Sequence, residues 1–371
     1  QIRVDLASDL GPLSSRPFNY SSINGPWYNS EYASLDLREF YLDTKMGSSY
    51  LRLGKQQVVW GQADGIKILD IVNPQSYREF ILDDFDDSRI PLWMVNWEIP
   101  VGDDGELQVL WIPDTSYHGL AEQGTPYALS SPLLVPRAPP GVDAEILEPD
   151  RPDDFLSDAD YGLRYRSIFG GWDVTLNYLY SYGDFPVLFQ GLILDSGSVM
   201  GVVDPRYERN HLVGGTLGTA MGDFSLRAEF AWNSDAWYLS SDIAQGGVEN
   251  SEEFSSVVGL DWQRTSSSLL SAQWFRSYAL DYRSTIIRDR SENMASLLLS
   301  QTFENDSWEF RALALHSLNY HDSMYQLKLK YWLYSNFELW IGADLFEGDD
   351  FGILGQFSEV DRLLFGFQYG F

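Results

Sequence analysis

The sequence contains no cysteine among its 371 residues. Disulfide bridges, thiolate metal sites and cysteine nucleophiles are therefore excluded, although this absence does not fix the compartment. No stretch approaches the roughly 18 consecutive apolar residues that a membrane-spanning helix requires. No signal peptide is visible, and Gln1 has no methionine before it, which predicts a mature, processed chain.

Basic residues are also scarce, with 25 Lys and Arg against 54 Asp and Glu, and the formal net charge is −29. Such a chain repels phosphates, so nucleic acid is excluded as a partner and anionic substrates are disfavoured. Aromatic residues are abundant, at 15% of the chain, and hydrophobic residues make up 44%. This composition predicts a folded protein and not a disordered one.

Apolar and polar residues alternate along most of the chain. The final residues, RLLFGFQYGF, place Leu363, Phe365, Phe367, Tyr369 and Phe371 on one side. A period of two predicts β-strands. We predict about sixteen strands, with fourteen to eighteen as the range. They lie near residues 1–8, 34–43, 50–59, 92–99, 106–112, 160–168, 172–181, 209–219, 223–233, 255–263, 267–276, 293–303, 307–316, 322–333, 336–345 and 362–371.

Short turns alternate with long connections throughout, which is typical of a transmembrane antiparallel β-barrel with short periplasmic turns and long external loops. The fold class predicted is therefore all-β, as a single barrel domain over residues 1–371 in the bacterial outer membrane. The C-terminal aromatic resembles the terminal signature by which outer-membrane proteins are recognised for insertion. Trp and Tyr near strand ends predict an interfacial girdle: Trp93, Trp97, Trp232, Trp262, Trp308 and Tyr331. The alternative is a soluble β-sandwich or propeller.

Two sets of charges are candidates for function. Acidic residues concentrate in the segments 60–91, 113–159 and 346–361. The carboxylates of Asp83, Asp84, Asp86 and Asp87 could bind a divalent cation or form a solvated loop surface. The predicted inward faces carry charges of both signs, which would pair across strands in a wet or plugged lumen: Arg164, Arg166, Arg227, Glu229, Glu309, Arg311, Lys328 and Lys330.

The segment 60–91 is too long for a plain loop. Its apolar residues are expected to bury against the barrel interior as a plug or constriction: Ile66, Ile68, Leu69, Ile71, Val72, Phe80 and Ile81. Asn73 and Pro74 have the pattern of a helix N-cap and first helical position, which predicts one or two helical turns over PQSYREFIL.

The stretch LRLGKQQVVWGQADGIKILDIVNPQSYREF, within residues 50–80, resembles the signature region of a Gram-negative family of outer-membrane β-barrels. Members of that family usually occur beside RND-type (MmpL-like) inner-membrane exporters and LolB-like periplasmic lipid carriers. The resemblance implies a role in moving hydrophobic or lipid-like molecules. The residues of interest either contact a ligand or lock the segment to the inner wall: Lys55, Gln56, Trp60, Asp64, Asp70, Asn73, Pro74, Tyr77, Arg78 and Glu79.

Two predicted external loops, 113–159 and 182–208, contain the apolar stretches 130–147 and 185–203. Exposed apolar loops are costly unless they pack or bind. A hydrophobic lid or lateral port, a cap of mutually packed loops and a partner surface are the three interpretations.

An enzyme is not expected. His316, Ser317, His321, Asp322 and Ser323 share one predicted hairpin tip, but their spacing matches no hydrolase motif, and two histidines lack a third metal ligand. No cofactor is expected beyond a bound divalent cation or lipid.

The leading functional hypothesis is a conduit or acceptor for hydrophobic or lipid-like molecules within a trans-envelope transport system. Its partners would be outer-membrane lipid or lipopolysaccharide, a periplasmic lipid carrier and an RND-type exporter. The alternatives are a substrate-specific, cation-preferring porin for small polar solutes and a non-conducting structural barrel that docks partners.

Overall fold

The computed structural model describes residues 2–6, 19–30, 33–83, 85–138, 142–195 and 198–370. The strands are β1 Ile2–Leu6, β2 Tyr28–Asn29, β3 Ala33–Leu37, β4 Phe40–Met46, β5 Ser49–Gln56, β6 Ser76–Tyr77, β7 Leu92–Val101, β8 Gly105–Ile112, β9 Gly119–Leu120, β10 Ala144–Ile146, β11 Asp160–Phe169, β12 Trp172–Tyr182, β13 Val187–Asp195, β14 Ser198–Arg206, β15 Arg209–Met221, β16 Phe224–Leu239, β17 Val248–Thr265, β18 Ser268–Ala279, β19 Ser291–Phe303, β20 Trp308–Ser317, β21 Ser323–Tyr334, β22 Phe337–Glu347 and β23 Arg362–Tyr369. The helical elements are α1, Phe85–Ser88, and two single 3₁₀ turns, Ile243–Gln245 and Gly355–Phe357.

Fifteen of these strands form one antiparallel sheet in the order β23-β22-β21-β20-β19-β18-β17-β16-β15-β12-β11-β8-β7-β5-β4. Strands that are neighbours in this sheet follow one another along the chain, so the sheet is an up-and-down meander. Its edge strands within the described residues are β4 and β23. Three small sheets accompany it: β1-β3-β2, β10-β14-β13 and β6-β9.

The connections alternate in length, as the sequence predicts. At one end of the sheet, the short-turn end, the links are residues 47–48, 102–104, 170–171, 222–223, 266–267, 304–307 and 335–336. At the other end, the long-loop end, they are residues 57–91, 113–159, 183–208, 240–247, 280–290, 318–322 and 348–361. Outer-membrane barrels carry their short turns in the periplasm and their long loops outside.

The outer face of the sheet is apolar and exposed. On β23, Leu363, Phe365 and Phe367 are 84%, 88% and 71% exposed, and Leu339 and Ile341 lie opposite Phe367 and Phe365 on β22. A continuous row of such side chains requires lipid and not water around it. Aromatic rings cluster near the short turns, in the pairs Phe224–Trp262, Phe303–Trp308 and Trp308–Tyr331, as an interfacial girdle requires.

The predicted all-β architecture is confirmed, and fifteen of the predicted strands lie in the large sheet. The predicted strand at 1–8 corresponds to β1, which pairs with β3 outside that sheet. The predicted strand at 34–43 is divided into β3 and β4. Phe371 lies outside the described residues. No helix in the described ranges is long and apolar enough to cross a membrane.

The predicted helix over residues 74–82 is wrong. Ser76 and Tyr77 instead form β6, which pairs in parallel with β9. The side chain of Asn73 caps no helix, because its Oδ1 accepts the Val58 N–H at 2.7 Å. A long-range hydrogen bond has replaced the local one that the sequence pattern indicates.

Candidate functional site

The connection between β5 and β7, residues 57–91, lies against the inner face of the large sheet and is called here the inward segment. Its first part packs Val58, Trp60, Leu69 and Val72 against buried residues of β7, β8, β12, β15 and β16. Its second part packs Phe80 and Leu82 against residues of β19 to β22 and the loop 348–361. Strands far apart in the sheet therefore meet on one segment, which requires the sheet to curve around it.

Arg227 and Glu229, two of the predicted lumen charges on β16, bind the inward segment directly. Arg227 donates to the Gln62 carbonyl and, at 2.8 Å, to Asp64 Oδ2. Glu229 accepts the backbone N–H groups of Gln62 and Leu69. The wall thus binds the segment through two opposite charges. The Arg227 cation binds the carboxylate of Asp64, and the Glu229 carboxylate binds backbone N–H groups.

Gln273 on β18 completes this attachment. Its Nε2 donates to Asp64 Oδ2 at 2.7 Å, and its Oε1 accepts the Asp64 backbone N–H at 3.1 Å. Arg227 also pairs with Asp261 at 2.9 Å. Asp64 is therefore bound by two wall side chains from different strands.

Asn73 joins the two ends of the inward segment. Besides accepting from Val58, its Nδ2 donates to the carbonyls of Ile90 at 3.0 Å and Gln56 at 3.3 Å. The Pro74 carbonyl accepts the Ile90 N–H at 2.7 Å. These bonds close residues 57–90 into a loop whose base is buried.

Asp70 forms a buried ion pair within the segment. Its Oδ2 accepts from Arg89 Nη2 at 2.7 Å and lies 3.5 Å from Lys67 Nζ. Lys67 Nζ also donates to Gln75 Oε1. A buried carboxylate with two cations beside it is compensated in charge, and removing one partner of such a pair is strongly destabilising.

Tyr77 packs into an aromatic cluster with His118 and Phe185, at centroid distances of 4.9 and 5.4 Å. The Gln75 N–H donates to His118 Nδ1 at 2.8 Å. Burial, with the Lys67 charge nearby, lowers the pKa of His118 to about 3, and burial raises the pKa of Tyr77. Both rings are therefore neutral packing elements that fix the segment to the loops 113–159 and 183–208.

Further attachments come from the wall. Trp60 Nε1 donates to Gln108 Oε1 at 2.8 Å, and Arg164 donates to the Val59 carbonyl at 3.0 Å. Arg362 Nη1 donates to Glu79 Oε2 at 2.5 Å.

Sequence reasoning missed Gln108, Gln273 and Arg362, although each is a polar residue on the inward side of a strand. Their alternation marks that side, but their partners are 48 to 283 residues away.

The remaining predicted residues of the motif differ in their surroundings. Lys55 is buried and interacts electrostatically with Asp36 and Asp114. Gln56 is fully buried and donates to the Met94 carbonyl at 3.2 Å. Arg78 makes no hydrogen bond or ion pair with another residue of the described ranges.

The other predicted lumen charges have contacts within the wall. Arg166 pairs with Asp173 on the adjacent strand at 2.5 Å. Lys330 lies 3.8 Å from Glu338, and Glu309 accepts from Ser300 at 3.3 Å. Arg311 and Lys328 face each other in register, and Lys328 Nζ lies 4.9 Å from the Trp340 ring centroid.

The acidic metal candidates are only partly described. Asp84 lies outside the described residues, as does the side chain of Asp86, while the Asp87 carbonyl accepts from Arg38 at 3.1 Å. Asp83 adjoins this gap. Within the described ranges, no group of three or more His, Asp or Glu residues could hold a metal ion.

The histidine-rich tip is used for loop structure. His316 Nδ1 lies 2.9 Å from Ser323 Oγ. Asp322 Oδ2 accepts the backbone N–H groups of Leu354 and Gly355 at 2.7 and 2.9 Å. The carboxylate is therefore committed to the loop 348–361 and does not orient His316, as a hydrolytic triad would require.

Part of the loop 183–208 forms a hairpin that the sequence did not predict. Strands β13 and β14 pair with each other, and β10 adds in parallel to β14. The register places Ile146, Leu192 and Val199 on one face, and these side chains are 64%, 57% and 49% exposed. This surface is called here the apolar hairpin face.

Three solved structures are similar to this chain, and the first of them supports the fold. A crystal structure of Acinetobacter baumannii OccAB2 is similar with a TM-score of 0.51 at 11% identity, over 99% of this chain and 86% of that one. The outer membrane channel DcaP of the same organism is similar with a TM-score of 0.42 at 7% identity, over 88% of this chain and 92% of that one. OmpT, an outer membrane protein of Vibrio cholerae, is similar with a TM-score of 0.38 at 10% identity, over 90% of this chain and 80% of that one.

A large antiparallel sheet with an apolar outer face is the architecture of integral outer-membrane proteins. This chain is accordingly an integral protein of the bacterial outer membrane, as the sequence predicts. A search of curated proteins finds no significant match. The family model described as "Protein of unknown function (DUF1302)" matches residues 19–364, and the chain belongs to that family.

Proposed function

We propose that this barrel is a conduit or acceptor for hydrophobic or lipid-like molecules within a trans-envelope transport system. The observation that carries the proposal is the apolar hairpin face at the long-loop end, where Ile146, Leu192 and Val199 are exposed together. An apolar surface of this kind costs free energy in water unless it binds an apolar group.

Flux of a fluorescent lysophosphatidylethanolamine tests this function. Vesicles that contain the protein and enclose serum albumin would be mixed with the lipid outside. A conduit gives protein-dependent accumulation on the albumin, and replacing Ile146, Leu192 and Val199 by Ser should slow it at least threefold. The matched control replaces Leu280 and Leu318, exposed residues of two other long-loop connections, by Ser.

Vesicle swelling in small sugars and salts tests a second candidate, the cation-preferring porin. The mixed lumen charges and the net charge of −29 favour it. Permeation of solutes without lipid flux would replace the first proposal by this one. Absence of both fluxes would favour the third candidate, a structural barrel that docks partners, which the inward segment across the lumen supports.

The partners we propose are a LolB-like periplasmic lipid carrier and an RND-type exporter, from the family resemblance of residues 50–80. A photocrosslinker at Asp103, in the turn 102–104, should capture the carrier in cells, and mass spectrometry would identify it. The same group at Leu318, at the opposite end, should not. Capture from both positions, or from neither, would contradict the partnership.

A further inference from the structure

A polar cavity of about 280 Å³ lies between the start of the inward segment and the short-turn end of the wall. Val58 and Val59 form its apolar side, and the inner faces of β5, β7, β8 and β11 form the rest. Its volume is near the lower end of ligand pockets, which span roughly 300–1,000 Å³. A small polar group can therefore occupy it.

The cavity holds three arginines, two of which are already paired. Arg52 binds Asp43 at 2.6 Å, and Arg166 binds Asp173 at 2.5 Å. Arg164 instead donates to the Val59 carbonyl and has no carboxylate within 4.0 Å in the described part of the chain. One guanidinium thus faces the cavity without a counter-ion.

The cavity also holds two carboxylates, Glu98 and Glu106, and neither has a cation within 4.0 Å among the described residues. The register explains why Glu98 and Arg164 do not meet. Glu98 lies opposite Gln108, and Gln108 lies opposite Arg164. Neighbouring strands are about 4.8 Å apart, so the two charged positions are separated by about 10 Å with a neutral residue between them.

Asn96 is a further polar residue of the cavity lining. It lines the cavity, it is only 6% exposed, and its buried Oδ1 accepts no hydrogen bond from a described residue. A buried acceptor without a donor is energetically unfavourable. That oxygen has no exposed surface, so the unpaired charges that the cavity presents are the Arg164 guanidinium on β11 and the Glu98 and Glu106 carboxylates on β7 and β8.

We propose that this cavity binds a zwitterionic phosphoethanolamine group, with the phosphate on Arg164 and the ammonium on Glu98 and Glu106. A simple anion would meet two carboxylates, and a simple cation would leave Arg164 without a counter-ion, so a ligand of both signs fits best. The group could belong to a phospholipid or be free in solution. The lipid source rests on the proposed function, while the binding itself does not.

Calorimetric titration of the full chain in detergent tests the site. The probes are dihexanoylphosphatidylethanolamine, free O-phosphoethanolamine and dihexanoylphosphatidylglycerol, which is an anionic lipid without the ammonium. We expect the first to bind, and Arg164→Gln and Glu98→Gln each to weaken its binding at least tenfold. Lys328→Gln, on the opposite part of the wall, is the control and should bind as the unaltered chain does. The heat-dependent gel migration of each variant reports whether its barrel has folded.

Each outcome decides the proposal. Tighter binding of the ethanolamine lipid than of O-phosphoethanolamine assigns the site to a headgroup, and equal binding assigns it to a soluble zwitterion. Equal binding of the glycerol lipid, or equal binding by folded Arg164→Gln and Glu98→Gln variants, overturns the site. Binding without lysolipid flux would contradict the conduit alone, and flux without binding would contradict this site alone.

Discussion

The Asn73 side chain hydrogen-bonds to backbone groups at both ends of the inward segment and at the end of β5. It is 1% exposed, and its amide binds the Val58 N–H and the carbonyls of Ile90 and Gln56. Asn73→Ala would leave these groups without partners in a buried place. Each such group costs about 1–3 kcal/mol, so we expect the free energy of unfolding in urea to fall by about 2–4 kcal/mol.

Asn250→Ala is the matched control for that measurement. Asn250 is exposed on β17 and donates only to Asp235 at 3.2 Å among the described residues. We expect a change within about 0.5 kcal/mol, as for most surface substitutions. Equal destabilisation by the two variants would mean that Asn73 does not hold the segment.

His118 should make stability depend on pH. Its pKa is 6.5 in the unfolded chain and about 3 in the folded one, because burial and then the Lys67 charge disfavour its protonated form. Between these values the unfolded chain binds more protons, so stability falls as the pH decreases from 6.5 toward 3. The histidine contributes up to about 1.4 kcal/mol per pH unit in this window.

The comparison of the unaltered chain with His118→Gln at pH 7 and pH 5 checks this dependence. Asp184 lies 3.9 Å from His118, and burial, together with the nearby Asp160 charge, raises its pKa well above the usual range. Protonation of Asp184 therefore makes stability rise as the pH decreases, in the unaltered chain and in His118→Gln alike. Subtracting the stability change of one protein from that of the other removes this contribution. A urea midpoint that shifts equally in the two proteins would contradict the role of the histidine.

The elements of the fold differ in how far the sequence predicts them. The strands are predictable because each carries its own alternation, and the apolar row Leu363, Phe365 and Phe367 needs no distant partner to be recognised. The helix at 74–82 is mispredicted because the Asn73 side-chain amide hydrogen-bonds to the backbone of Val58 and Ile90 and does not cap a helix. Local patterns do not contain such long-range hydrogen bonds.

The residues of the site are also predictable only where a local pattern marks them. Inward-facing charges such as Arg227 and Glu229 are recognisable from alternation, but their attachment to Gln62 and Asp64 is not. The β13–β14 hairpin escapes prediction for a different reason. Its residues are apolar on both faces, so they do not show the alternation of a half-buried strand.

The inward segment should loosen when its wall attachment is removed. Arg227→Met breaks the contacts with Gln62 and Asp64, while Asp64 keeps its hydrogen bonds with Gln273. We expect backbone amides of residues 61–70 to exchange with solvent at least tenfold faster, which corresponds to about 1.4 kcal/mol of local stability. Mass spectrometry of deuterium uptake measures this change.

Arg166→Met controls for the loss of an arginine ion pair in the wall. Arg166 pairs with Asp173 inside the β11–β12 hairpin and has no hydrogen bond or ion pair with the described residues of the inward segment. Its replacement should leave exchange at residues 61–70 unchanged. Equal acceleration in both variants would show a general loosening of the barrel and would contradict a specific attachment by Arg227.

At the scale of the whole molecule, the inward segment connects two parts of the wall that are distant in the sheet. Leu69 is buried against the β7–β16 side, and Phe80 is buried against the β19–β22 side. Polar bonds follow the same path, from Arg164 at Val59 to Arg362 at Glu79. The segment therefore bridges these two parts of the wall, and we propose that passage of any solute depends on the space that the segment leaves or on its displacement.

Single-channel conductance in a planar bilayer measures that dependence. We expect the intact barrel to give no steady current and a variant lacking residues 62–89 to conduct, because the deletion removes both apolar anchors and the ion pair of Asp64 with Arg227. A variant lacking residues 188–204 is the control, because the β13–β14 hairpin lies outside the large sheet. Like the intact barrel, this variant should give no steady current. Steady, cation-selective current through the intact protein would favour the porin alternative, because the inward segment would then leave an open path past the acidic loops.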